Sequence, residues 1–218
     1  MSLLSLLASC LIASSVLLGS VVAEGAAPLD SAAVASSVLN DLRSKYNDSA
    51  ALEIVFDVTI YWSVREKEDK LSGHAWLARG DRFKLESGNV LYSSDGRTYW
   101  QYNKQTNQVI IKNLLDVDLS ILPSQMFTDY VQNYTYRIAS LGNDRTVLKS
   151  TGVPSGHVQS ITITVKTKTN TIESIVVNDK NGNRSTYTIS KIRAGIKLTD
   201  DNFVFEIPKG ANVFDSRP

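Results

Sequence analysis

The sequence is poor in the residues that do chemistry, with one cysteine and two histidines in 218 residues. His74 and His157 stand in no Ser-His-Asp arrangement and in no metal-ligand spacing. Catalysis is therefore not expected, and neither is a metal or a cofactor. An excess of one charge is also lacking, since 23 Lys and Arg face 22 Asp and Glu. Without basic residues to neutralise phosphates, nucleic acid is not an expected partner. No low-complexity or Pro/Gly-rich stretch cuts the chain, and 43% apolar content can bury a sizeable core, so one domain is expected.

Charge is absent altogether from residues 1–23. An apolar run over 11–18 passes into Gly19-Ser20-Val21-Val22-Ala23, a small-residue cleavage site before Glu24. The pattern predicts a signal peptide over 1–23, export through an inner membrane to the periplasm, and a mature domain over 24–218. Because no Lys or Arg precedes the apolar run, a retained anchor of about 20 residues stays open as the alternative. Leu7-Ala8-Ser9-Cys10 has the form of a lipobox but sits early, with the apolar run continuing past it. Cleavage at Ala23 would remove Cys10, and disulfides and thiolate chemistry with it.

What the chain does have is a long alternating strand. Over 52–64, Leu52, Ile54, Phe56, Val58, Ile60, Trp62 and Val64 are apolar, while Glu53, Asp57, Thr59, Tyr61 and Ser63 fall between them. Successive strand side chains point to opposite sides, so one face is greasy and the other, with Glu53, Asp57 and Thr59, faces solvent. At about 3.3 Å per residue the strand would run roughly 40 Å. Its apolar face needs a cover. Asp30-Ser31 is an N-cap candidate for an amphipathic helix over 31–46, with Val34, Val38, Leu39, Leu42 and Tyr46 on one face, and this helix is the simplest cover.

The charged stretch 65–70 is expected as a turn, followed by strands over 71–79, 82–87, 90–94, 97–102 and 108–112. Asp95-Gly96 marks the tightest hairpin. Turns this short join antiparallel neighbours, giving a six-stranded meander. Within it, Gly73-His74-Ala75-Trp76-Leu77-Ala78-Arg79-Gly80-Asp81-Arg82-Phe83-Lys84-Leu85, then Ser94-Asp95-Gly96-Arg97-Thr98-Tyr99-Trp100-Gln101-Tyr102, then Gln108-Val109, resembles the LolA family of periplasmic outer-membrane lipoprotein carriers. Asp-Gly-x-x-x-Trp-x-Tyr is the most specific block. The closing Phe203-Val204-Phe205-Glu206-Ile207-Pro208-Lys209-Gly210-Ala211-Asn212-Val213 is similar to the family's Phe-x-Phe-x-x-Pro-x-Gly-x-x-Val.

The resemblance implies a mainly β fold with a few helices, an unclosed antiparallel half-barrel of about eleven strands covered by the N-terminal helix and a lid helix segment. Further strands over 134–140, 146–150, 160–165, 171–178 and 184–196 bring the count to eleven. The lid corresponds to the apolar stretch around Pro123, with a helix starting near Leu122. The cavity for acyl chains would be lined by Leu52, Ile54, Phe56, Val58, Ile60, Trp62, Phe83, Leu85, Leu122, Met126 and Phe127. In the family the arginine matching Arg79 bonds to lid backbone and switches the cavity between states. Here Gly80 replaces the proline that usually follows it.

The implied partners are acylated lipoproteins, an inner-membrane lipoprotein-releasing ABC transporter and, where the organism has one, an outer-membrane acceptor; the carrier is expected as a monomer. Two other jobs fit the same architecture, a membrane-anchored or soluble lipid-binding or envelope-stress sensor and a structural envelope protein with a filled core. Arg79-Gly80-Asp81 spells an adhesion tripeptide that a hairpin turn explains equally well. Asn47, Asn133 and Asn183 open glycosylation sequons and are expected as turn residues.

Overall fold

The computed structural model describes residues 31–47, 49–117, 130–131, 133–152 and 156–218. One helix, α1 (Ser31–Asn47), precedes a single twelve-stranded sheet. The first six strands are β1 (Ala51–Trp62), β2 (Lys67–Ala78), β3 (Arg82–Ser87), β4 (Val90–Asp95), β5 (Thr98–Asn103) and β6 (Gln108–Asn113). After a 3-10 turn at Leu114–Asp116 come β7 (Tyr136–Leu141), β8 (Arg145–Ser150), β9 (Val158–Lys166), β10 (Thr171–Asp179) and β11 (Arg184–Ala194), and β12 (Asn212–Asp215) closes the chain. The spatial order β12-β6-β5-β4-β3-β2-β1-β11-β10-β9-β8-β7 is an open half-barrel built on two meanders. They join where β1 pairs with β11, putting the alternating strand at the middle of the sheet.

Eleven strands are antiparallel neighbours, the first six as the turn lengths predict and the full count as the family resemblance implies; β12 is the addition, running parallel to β6. Four residues of exposed Asn-Val-Phe-Asp carry no alternation signal, and only the long return over 195–211 permits a parallel pairing. Two boundaries also move. β1 stops at Trp62, and Val64 sits in the turn, 90% exposed. β2 begins at Lys67 rather than Leu71, so Lys67 to Lys70, four of the six charged residues expected as a turn, are strand, paired one-to-one with β1 from Trp62↔Lys67 to Val58↔Leu71. Charged side chains there have solvent on their side of the ladder, and the β1 backbone supplies the partners that composition does not reveal.

The Asp95-Gly96 hairpin forms with a different division of labour. Gly96 takes a positive φ of 95°, while Asp95 keeps strand geometry and its Oδ1 accepts from the N–H groups of Arg97 and Thr98. On the outer face of β4–β6 the sheet is covered as well. Phe203 is fully buried there, its carbonyl accepts from Ser93 Oγ at 2.7 Å, and Arg82 lies 5.7 Å over its ring while pairing with Asp200. Phe205 and Ala211 pack on Trp100, Val109 and Ile111 in a second small core. The closing Phe-x-Phe motif is thus a strap over the convex side.

Glu53, expected in solvent, is 4% exposed. The cause is a bulge in β11 between the partners of Val55 and Phe56. The extra residue, Ser190, bonds Val55 O, and the shift turns Lys191 and Arg193 onto the outer face beside Glu53. Its carboxylate accepts from Arg193, from Lys191 Nζ at 3.4 Å and from His74 Nε2 at 2.9 Å, tying β11, β1 and β2 together. Burial by itself pushes this carboxyl up, but the three hydrogen bonds and the Arg193 charge outweigh it and hold it below its ordinary value. A depressed carboxyl contributes stability above its unfolded pKa and loses it as pH falls through its folded pKa. Glu53→Gln should therefore melt below the wild type at neutral pH and approach it as acid protonates the wild-type carboxylate, which thermal denaturation from neutral to acidic pH checks.

Candidate functional site

The concave side of the half-barrel carries the expected apolar set. Leu52, Ile54, Phe56 and Val58 of β1, with Phe83 and Leu85 of β3, are all at most 5% exposed. They form one core with Ala75 and Leu77 of β2, Ile189 and Tyr187 of β11, and the inner residues of β8–β10. Into this core α1 presents Ala35, Leu39, Leu42 and Tyr46. That stripe is turned one residue from the expected one, so Val34 and Val38 lie at its margin, half-buried. Ser49 Oγ bonds Lys45 O at the end of α1, and Lys45 Nζ bonds the carbonyls of Thr169 and Asn170. Phe56 fits only because β2 has a glycine opposite it: a Cβ on Gly73 would sit 2.3 Å from Phe56 Cζ.

Toward the β1–β2 hairpin the same face opens. Ile60 and Trp62 are half-buried, and Leu71, opposite Val58, is 47% exposed. Trp62 Nε1 donates to Asp69 Oδ2 at 2.7 Å, and Arg65 lies 4.9 Å over the indole while pairing with Asp69. An apolar strip therefore runs from the core out to a rim of one indole and one ion pair. Leu71 was the position that sequence reasoning left out of the site. Its signal was present, two residues before Gly73 in the inward phase of β2, but placing the strand start at Leu71 hid its pairing with Val58.

Among the described residues no buried charge lies on this face: Glu53, the buried carboxylate, lies on the opposite one. Burial pushes the phenols of Tyr99 and Tyr136 up, with neighbouring tyrosines adding to it, and pushes Tyr187 up to about 12. All three stay neutral at physiological pH. Such a surface suits hydrocarbon, with a few hydroxyls to orient it. Among the described residues no group of three or more His, Cys, Asp or Glu is placed to hold a metal, and no helix is long and apolar enough to cross a membrane.

β6 and β7 lie toward opposite flanks of the sheet. Leu122, Met126 and Phe127, and the helix expected near Leu122, lie outside the described residues. The end of the β6–β7 connection is described and is tightly held. Tyr130 and Val131 are buried in the core, Tyr136 Oη donates to Tyr130 O at 2.6 Å, and Arg43 of α1 donates to Val131 O at 3.0 Å and Tyr134 O at 3.4 Å. Arg43 gave no signal in the sequence beyond its place on the flank of an amphipathic helix. Arg79 lies in the exposed turn after β2, where its carbonyl accepts from Arg82 Nε at 2.9 Å. Gly80 there has φ 75°, a value that proline cannot adopt, so this turn differs in backbone from one built on Arg-Pro.

Known proteins match the chain in sequence and in fold. The family model described as "Outer membrane lipoprotein carrier protein LolA" matches residues 51–206. An outer-membrane lipoprotein carrier protein of Wigglesworthia glossinidia brevipalpis is 29% identical over 172 residues, 73% of this chain and 81% of that one. Its counterpart in Pectobacterium atrosepticum is 26% identical over 196 residues, 88% of this chain and 94% of the relative. An uncharacterized conserved protein of Thermus thermophilus has a similar fold, with a TM-score of 0.53 at 16% identity over 84% of this chain and 99% of that one. With a half-barrel that carries the family's Asp-Gly-x-x-x-Trp-x-Tyr block on β4 and β5, and a family model that spans more than half of its length, the chain belongs to the LolA family of outer membrane lipoprotein carrier proteins.

Proposed function

We propose that the chain is a periplasmic carrier that takes the acyl chains of lipoproteins leaving the inner membrane and delivers them toward the outer membrane. The observation that carries the reading is the apolar strip of Ile60, Trp62 and Leu71, continuous with the core and free of buried charge. Three acyl chains of about 15 methylenes each cost roughly 36 kcal/mol to expose to water, so no triacylated protein crosses an aqueous compartment unescorted. A carrier needs no catalysis, only a surface that competes with a bilayer and yields to a better acceptor. In the same reading residues 1–23 direct export and are removed. An inner-membrane ABC transporter loads the carrier, and Arg79 keeps the switching role that the family pattern gives it.

The test is to mix the purified mature protein with inner-membrane vesicles that contain a triacylated lipoprotein and the release transporter of the same organism. The carrier reading predicts a soluble complex of the two proteins, recovered by size exclusion. Lipoprotein that stays entirely with the vesicles contradicts it.

A further inference from the structure

The apolar strip ends beside a stretch of sheet edge that the fold leaves open. β2 pairs with β1 along its whole length, but its pairing with β3 starts only at Gly73↔Ser87. Residues 67–72 of β2 therefore have no strand on their outer side among the described residues, and all six are exposed. Ser87 Oγ donates to Ser72 O, which fixes the side to which the Ser72 carbonyl points. Alternation then directs the N–H and C=O of Lys70 and Glu68 to that same open side, while Asp69 and Leu71 turn theirs to β1. Charged side chains of both signs, Lys67, Glu68, Asp69 and Lys70, line the notch, which discourages pairing with a second apolar edge.

Resting on the carrier reading above, we propose that this notch receives the polypeptide of the cargo. A lipoprotein's acyl chains are joined to the terminus of an extended chain. With acyl chains on Leu71, Ile60 and Trp62, that chain emerges next to the open edge and adds to β2 where a longer β3 would lie. Recognition through backbone hydrogen bonds reads no side chain, which suits a carrier of many different polypeptides. The mixed charges of residues 67–70 complement a polar, mixed-charge segment and repel none outright.

Because the outward donors are those of residues 68 and 70, the double variant Glu68→Pro, Lys70→Pro removes them without touching the β1–β2 ladder, and edge strands tolerate proline. Two probes are compared, a fluorescent fatty acid and a synthetic triacylated cysteinyl peptide carrying about eight polar residues. The expected result is unchanged fatty-acid binding with about tenfold weaker lipopeptide binding. Amide exchange at Glu68 and Lys70 in the wild type should slow with lipopeptide and not with fatty acid. Equal lipopeptide affinity in variant and wild type, an equal loss for both probes, or amides already protected in the free protein overturns the inference while leaving the carrier reading standing. A wild type that binds neither probe overturns both.

Discussion

Leu71→Glu should leave the protein folded and abolish its hold on acyl chains. Leu71 is 47% exposed on a stretch of β2 with no β3 neighbour, so a polar replacement there is expected to change stability by no more than about 0.5 kcal/mol. With hydrocarbon laid over the strip, the new carboxylate loses its water, and among the described residues the strand partners of Val58 and Ile60 that share its face, Tyr187, Ser185 and Asp69, offer no cation. An uncompensated charge of that kind costs several kcal/mol. The affinity for a fluorescent fatty acid should therefore fall by a factor of about 100 or more, with the melting temperature within a few degrees of wild type. The pair of measurements separates a binding surface from an ordinary core position. A large loss of stability with no change in binding would place Leu71 in the scaffold instead.

Phe56→Ala is expected to give the opposite signature. The ring is 4% exposed, lies across Gly73 and has its centroid 6.2 Å from that of Tyr187, at the join of the two meanders. Truncation leaves a cavity that two neighbouring strands cannot close, and the cost should be about 3–5 kcal/mol. For a domain of this size that lowers the melting temperature by roughly 10 °C. The contact with Gly73 makes the prediction more specific. Gly73→Val alone clashes with the ring, whereas in the Phe56→Ala background valine fills part of the hole and favours the strand. The double variant should be more stable than Phe56→Ala, with a coupling of about 1 kcal/mol or more in the thermodynamic cycle. Simple additivity would contradict the packing.

Much of this was legible in the residues. Period-two alternation over Leu52–Trp62 is set by burial of one face alone, and the turns that follow are too short for anything but antiparallel neighbours. The unread parts depend on partners distant in sequence. Glu53 is polar and in the outward phase, yet buried, because one bulged residue in β11, more than a hundred positions later, re-aims Lys191 and Arg193. β2 starts early because β1 supplies the ladder, and β12 exists because the strap over Trp100 delivers it to β6. Of the predicted lining, Leu52, Ile54, Phe56, Val58, Phe83 and Leu85 pack in the core shared with α1, and Ile60 and Trp62 reach the open strip. Alternation sorts residues to faces. It cannot tell which stretch of a face the protein covers with its own helix.

The most direct test asks which face meets the lipid. A photoreactive amino acid is placed in turn at Ile60, Leu71, Asp57 and Thr59, and each variant is illuminated with a triacylated lipoprotein whose acyl chains are radiolabelled. Ile60 and Leu71 lie on the concave face, and Asp57 and Thr59 on the convex one. Label crosslinked from positions 60 and 71, and absent from 57 and 59, is the predicted result. Equal labelling from both faces, or labelling from the convex positions alone, would contradict the assignment of the concave strip as the acyl-chain site.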